Sequence, residues 1–166
     1  MASRSDQRFK RGKFTMGSYS DVYFDDFTEG RVFESGGMTL SETQILDFAL
    51  AWDPQPFHID IPAAEAGPFG GLISSGFQTL VAAFRLMHAT GYLDAASMGS
   101  PGMDELRWLM PVRPGDTLRV SGEVLEQKPS KSKPGQGMAR VQYTVLNQDA
   151  AAVMTFIGIH ILRKRS

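Results

Sequence analysis

The chain has 166 residues, 42% hydrophobic and 21% charged, with a formal net charge of −1. That length supports one domain with its own core, and the near-neutral balance provides no basic field to hold nucleic acid. There is no cysteine, which excludes disulfides, thiolate metal sites and a cysteine nucleophile and is compatible with a cytoplasmic location.

In chain order, residues 1–15 are polar and basic, with Arg4, Arg8, Lys10, Arg11 and Lys13. No apolar stretch of the kind a signal peptide needs follows them, so a mobile tail is expected, with residues 16–166 as a single domain. No run approaches the roughly 18 apolar residues of a membrane-spanning helix. Tyr19 to Gly30 reads as an irregular lead-in and Arg31 to Thr39 as a strand bent at Gly36-Gly37. Ser41-Glu42-Thr43-Gln44 has the form of a capping box. Ile45, Phe48, Ala49 and Trp52 then recur at i, i+3, i+4, i+7, which predicts a one-sided helix over Leu40 to Asp53, stopped by Pro54. Pro56 and Pro62 predict non-helical chain beyond it, and the glycines at 67, 70 and 71 a loop.

Gly76 to about Thr90 is apolar at helical spacing on nearly every face, through Phe77, Leu80, Val81, Phe84 and Met87. That predicts a buried helix, N-capped by Ser74 or Ser75. His88 on this helix and His160 in a later apolar strand are expected to be structural. The remainder reads as four strands. Glu105 to Val112 is followed by a tight turn at Pro114-Gly115-Asp116. Leu118, Val120, Gly122 and Val124 alternate with polar residues, as do Val141, Tyr143 and Val145 after a loop at Gln127 to Gly137 carrying Lys128, Lys131 and Lys133. Ala152 to Leu162 is apolar on both faces. The expected class is α+β, a curved antiparallel sheet wrapped around a long central helix.

The densest chemical signal is Asp53-Pro54-Gln55-Pro56-Phe57-His58-Ile59-Asp60. A carboxylate and an imidazole stand five residues apart in a proline-stiffened turn, where fixed φ angles lower the entropy of holding them together. Such a pair can take a proton from one water and return one elsewhere. Read alone, Asp53 serves equally to organise the turn and His58 to fill a half-buried position. His58 and Asp60 lack further ligands at metal spacing, so no metal is expected.

The segment resembles the hydratase motif of the MaoC-like dehydratases and (R)-specific enoyl-CoA hydratases, Asp-x-Asn-Pro-x-His with an acidic residue two positions later. Asp53, Pro56, His58 and Asp60 match; Gln55 stands where the family has Asn. Ile73-Ser74-Ser75-Gly76 is similar to the start of that family's central helix, and Arg107-Trp108-Leu109-Met110-Pro111-Val112-Arg113-Pro114-Gly115-Asp116 to its strand running into Pro-Val-x-Pro-Gly-Asp. The resemblance implies a hot-dog fold, a homodimer or higher homo-oligomer, and reversible addition of water to a trans-2-enoyl-CoA. Asp53 and His58 would hold and activate the water, and Gly76 N–H would donate to the thioester oxygen. Gln55, Phe57 and Ser75 would contact substrate. Coenzyme A would enter as part of the substrate, with no other cofactor. Two other functions compete. A hot-dog thioesterase commonly carries a carboxylate on its central helix, and Gly76 to Tyr92 has none. A non-catalytic acyl-thioester-binding module has only Gln55 in its favour.

Overall fold

A computed structural model describes residues 19–166; the expected tail, residues 1–15, lies outside that range. A short 3₁₀ turn at Phe24–Asp26 precedes β1 (Val32–Glu34), β2 (Met38–Thr39), α1 (Glu42–Trp52), α2 (Pro56–Ile59), α3 (Ile61–Ala66), α4 (Gly76–His88), β3 (Gly102–Trp108), β4 (Thr117–Pro129), β5 (Gln136–Leu146) and β6 (Ala152–Arg163). The six strands form an antiparallel sheet in the order β1-β4-β5-β6-β3, with β2 also paired to β4. No helix among the described residues is long and apolar enough to cross a membrane.

β1 and β2 are one strand interrupted. Both pair with β4, and the break falls at the expected bend. Ser35 patches it. Its N–H donates to the Val120 carbonyl, and its hydroxyl accepts from the Val120 N–H. The side chain thus supplies an acceptor that the bent backbone cannot present.

The capping box forms as read. Gln44 N–H donates to Ser41 Oγ at 3.2 Å, and Ser41 N–H donates to Gln44 Oε1 at 2.9 Å. Ile45 and Ala49 are buried, but Trp52 is 78% exposed, so the stripe loses contact with the core in its last turn. The expectation of non-helical chain at Pro56 and Pro62 is corrected: each proline opens a short helix, at the first or second position of α2 and α3. Proline's fixed φ suits a first turn, and its missing N–H is one that would be unpaired there anyway. Asp60, the last acidic residue of the motif, N-caps α3 by accepting from Ala63 N–H.

α4 crosses the concave face of the sheet, the hot-dog arrangement. Ala82, Ala83, Leu86 and Met87 join the same core as Val120, Val141 and Phe156, and Phe84 stacks on Phe156 with ring centroids 6.1 Å apart. Burial on every face is corrected: Phe77 and Val81 are more than half exposed. His88, on that side too, is exposed and stacks on Phe84 instead of lying in the core.

The four C-terminal strands are present, with two corrections. The first is Gly102–Trp108 instead of Glu105–Val112, and it does not form a hairpin with β4. It pairs with β6 at the far edge of the sheet, because the segment through Pro111 and Pro114 carries the chain across to β4. A bulge between Asp104 and Arg107 places Glu105 at φ 52. The lysine-bearing loop is shorter than expected, since Lys128 already belongs to β4.

Tyr143 lies flat on the sheet between two glycines. A Cβ added at Gly122 or Gly158 would stand 2.6 or 2.7 Å from its ring. Its hydroxyl bonds to the Tyr92 hydroxyl and to His160 Nε2 at 2.8 Å. Burial, and secondarily the neighbouring His88, pushes the His160 pKa down to about 4, so this buried imidazole stays neutral. A ring held by two hydrogen bonds cannot give way, so Gly122→Ala is expected to destabilise the fold by about 1–3 kcal/mol in urea unfolding. An effect within error would show that the Tyr143 ring moves freely.

Candidate active site

The site forms where α1 ends and α4 begins. Asp53 is the C-cap of α1, its N–H still donating to the Ala49 carbonyl. The two prolines then turn the chain into α2, which presents His58. Ser75 N-caps α4 in an extended conformation and accepts from Phe77 N–H at 3.2 Å. Its hydroxyl proton goes to Asp53 Oδ2 at 2.6 Å. One buried oxygen therefore caps the central helix and pins the carboxylate.

Asp53 also accepts from Gln55 Nε2 at 2.8 Å through Oδ1, and His58 Nε2 stands 3.4 Å from Oδ2. The Ser75 hydroxyl above all, then the Gln55 amide and the His58 imidazole, holds the carboxyl below the ordinary carboxylate range against an opposing effect of burial. His58 is 3% exposed, and its Nδ1 lies 2.8 Å from the Ile73 carbonyl. A carbonyl only accepts, so the proton sits on Nδ1 and Nε2 presents a lone pair when the ring is neutral. The wall beside Asp53 thus offers two acceptors 3.4 Å apart. A water donating one hydrogen to each satisfies both.

The start of α4 supplies the complementary donor. Ser74 N–H is committed to the Val112 carbonyl, Phe77 N–H to Ser75 Oγ and Thr79 N–H to the Ser75 carbonyl. Gly76 N–H, among them, has no acceptor among the described residues. Helix N-termini concentrate such unpaired N–H groups and partial positive charge.

Asp53, Gln55, Phe57, His58 and Gly76 all line one cavity of about 420 Å³. Ser75 is not on its wall; it is fully buried behind it and acts on Asp53. Four contributors were not singled out as site residues from the sequence. Trp108 packs so closely on Gly76 that a Cβ there would lie 2.5 Å from the indole. Leu109 and Met110, read as strand, leave the sheet and line the mouth, and Phe69 packs on Phe57 at 5.2 Å. The signal for Leu109 and Met110 was the proline at 111, which cannot continue a paired strand.

Residues 24–147 match the family model described as the MaoC like domain. The crystal structure of the MaoC-like dehydratase from Rhodospirillum rubrum is similar with a TM-score of 0.81 and 34% identity, over 87% of this chain and 99% of that one. YdeM of Bacillus subtilis (strain 168) is 35% identical over 111 residues, 67% of this chain and 79% of YdeM. The 3-hydroxyacyl-thioester dehydratase Z of Mycobacterium tuberculosis (strain ATCC 25618 / H37Rv) is 31% identical over 97 residues, 57% of this chain and 64% of that protein.

The double duty of Ser75 has a pH signature. A depressed carboxyl pKa contributes stability above the unfolded value and loses it as pH falls through the folded one. Ser75→Ala is expected to cost about 1 kcal/mol at any pH through the lost cap. It should cost more at neutral pH, where the charged hydrogen bond to Asp53 is also lost. Urea unfolding of both proteins should show the gap narrowing below pH ~4. A gap independent of pH would show that the hydroxyl does not hold the charged carboxylate.

Proposed function

Since the chain belongs to the MaoC-like domain family of hydratases and dehydratases, we propose that it adds water reversibly to a trans-2-enoyl-CoA, giving a 3-hydroxyacyl-CoA. The observation that carries this reading is the pair of acceptors, Asp53 Oδ2 and His58 Nε2, on one cavity that the unpaired Gly76 N–H also lines.

In this reading one water donates a hydrogen to each acceptor and turns a lone pair toward C3. As the O–C3 bond forms, the C2=C3 π pair shifts toward the thioester and a water proton passes to His58 Nε2. The negative charge on the thioester oxygen is held by Gly76 N–H, an arrangement worth about 3–4 kcal/mol of barrier. Nε2 then delivers its proton to C2, completing addition of H and OH. The carboxylate is poorly basic because Ser75 and Gln55 already donate to it, so it orients the water and stabilises the imidazolium. Gln55 keeps the hydrogen bond to Asp53, so its replacement of the family's Asn leaves both acceptors in place. The thioesterase reading lacks a carboxylate on α4. The cysteine-free chain suits a cytoplasmic setting for this reaction.

Removing either acceptor is expected to cost most of what removing both costs, since groups acting on one water are non-additive. With crotonyl-CoA, followed by loss of enoyl absorbance, Asp53→Asn and His58→Ala should each lower kcat by roughly 10²–10⁴-fold, and the double variant little more. Release of free thiol would point to a thioesterase. Full activity of folded Asp53→Asn would remove this mechanism.

We also propose that the chain works as a homodimer. Phe77, Val81, Trp108, Leu109 and Met110 are each about half exposed, and the outer edge of β3 is unpaired among the described residues. An apolar surface beside an open edge favours a second copy. Val81 does not line the cavity, so Val81→Glu should turn dimer into monomer in light scattering. A wild-type chain that stays monomeric at micromolar concentration would refute the dimer.

A further inference from the structure

The hydratase reading leaves the acyl group open, and the cavity wall bears on it. The degree of burial orders that wall by depth. Ile73, Ser74, Thr79 and Val112 are at most 6% exposed and form its inner end, while Phe77, Trp108, Leu109 and Met110 stand half exposed at the mouth. Among the described residues lining the cavity there is no lysine or arginine, and the one carboxylate is Asp53.

The two inner hydroxyls present no hydrogen to a guest. Ser74 gives its hydroxyl proton to Gln78 Oε1 at 2.9 Å, and Thr79 gives its own to the Ser75 carbonyl at 3.3 Å. Gln55 Nε2 gives one of its two hydrogens to Asp53, and His58 Nδ1–H is committed to Ile73. What the two hydroxyls and a neutral His58 Nε2 turn toward the cavity is lone pairs. Gly76 N–H and the Trp108 indole N–H have no acceptor among the described residues, and they lie against each other where the hydratase reading puts the thioester oxygen. The neighbouring cation, Arg113, lies outside: its guanidinium donates to the Phe69 carbonyl and packs on Gly71.

Resting on the hydratase reading, we infer that this site takes an uncharged acyl group, a trans-2-enoyl thioester with a hydrocarbon tail, and rejects one whose tail ends in a carboxylate. A buried anion without a cation keeps most of its desolvation cost, and here it would also face Asp53. A hydrocarbon tail instead meets Ile73, Val112 and Phe57.

The test pairs acyl groups of equal length on the same carrier. Two saturated thioesters that cannot be hydrated, butyryl-CoA and succinyl-CoA, report binding through thermal unfolding of the full chain. Crotonyl-CoA and fumaryl-CoA report turnover. Butyryl-CoA is expected to raise the Tm, with succinyl-CoA at equal concentration leaving it unchanged, and kcat/KM for crotonyl-CoA should exceed that for fumaryl-CoA at least ~100-fold. Equal or better binding or turnover of the carboxylated member overturns the inference and leaves the hydratase reading intact. Stabilisation by butyryl-CoA alone, without turnover of either enoyl thioester, upholds the inference and removes the hydratase reading. Stabilisation by neither, with no turnover, overturns both.

Discussion

The hydroxyl of Ser75 is the joint on which the site depends. It accepts from the backbone of α4 and donates to Asp53 at the end of α1, so the two helices that bring donor and acceptor to the cavity are aligned through one oxygen. A second tie lies behind it: Gln78, buried on α4, donates to the Gln44 carbonyl of α1 and accepts from Ser74. Both ties are polar and partly buried, where an unpaired partner is costly. They therefore fix position as well as proximity. The proposed chemistry needs that precision, since one water has to reach two acceptors only 3.4 Å apart.

The sheet contributes from the other side. α4 can lie in its concavity because small residues, Gly122 and Gly158, leave room for the Tyr143 ring to lie flat beneath it. The hydroxyl of that ring is satisfied by Tyr92 and His160, so the polar tip of a large aromatic does not disturb an apolar core. The crossing from β3 to β4 then brings Val112 under the start of α4, where its carbonyl takes the Ser74 N–H. The loop that carries the chain from the β3 edge across to β4 thereby lines the cavity.

Local chemistry was the legible part of the sequence. Ser41 with Gln44, Ser75 before Gly76, and Asp53 with His58 all act within a few residues of themselves, and each takes the place that its spacing implies. What escaped were effects with a long-range cause. Pro56 and Pro62 read as helix breakers because their position within the first turn depends on where the preceding chain stops. Phe77, Val81 and His88 read as core because hydrophobic spacing reports apolarity and not what covers it. Trp108 read as strand, and its place over Gly76 follows only from the pairing of β3 with β6. Ser75 was placed on the substrate for the same reason: its partner Asp53 lies 22 residues away.

The packing of Trp108 against Gly76 equips the molecule with an optical reporter of its own. The chain carries two tryptophans. Trp52, at the end of α1, is mostly in water and is not among the residues lining the cavity. Trp108 lines the cavity, edge to face with Phe77 at 5.7 Å. An acyl group entering beside it replaces solvent against its indole, so occupancy of the cavity should be visible in the fluorescence of the unlabelled protein.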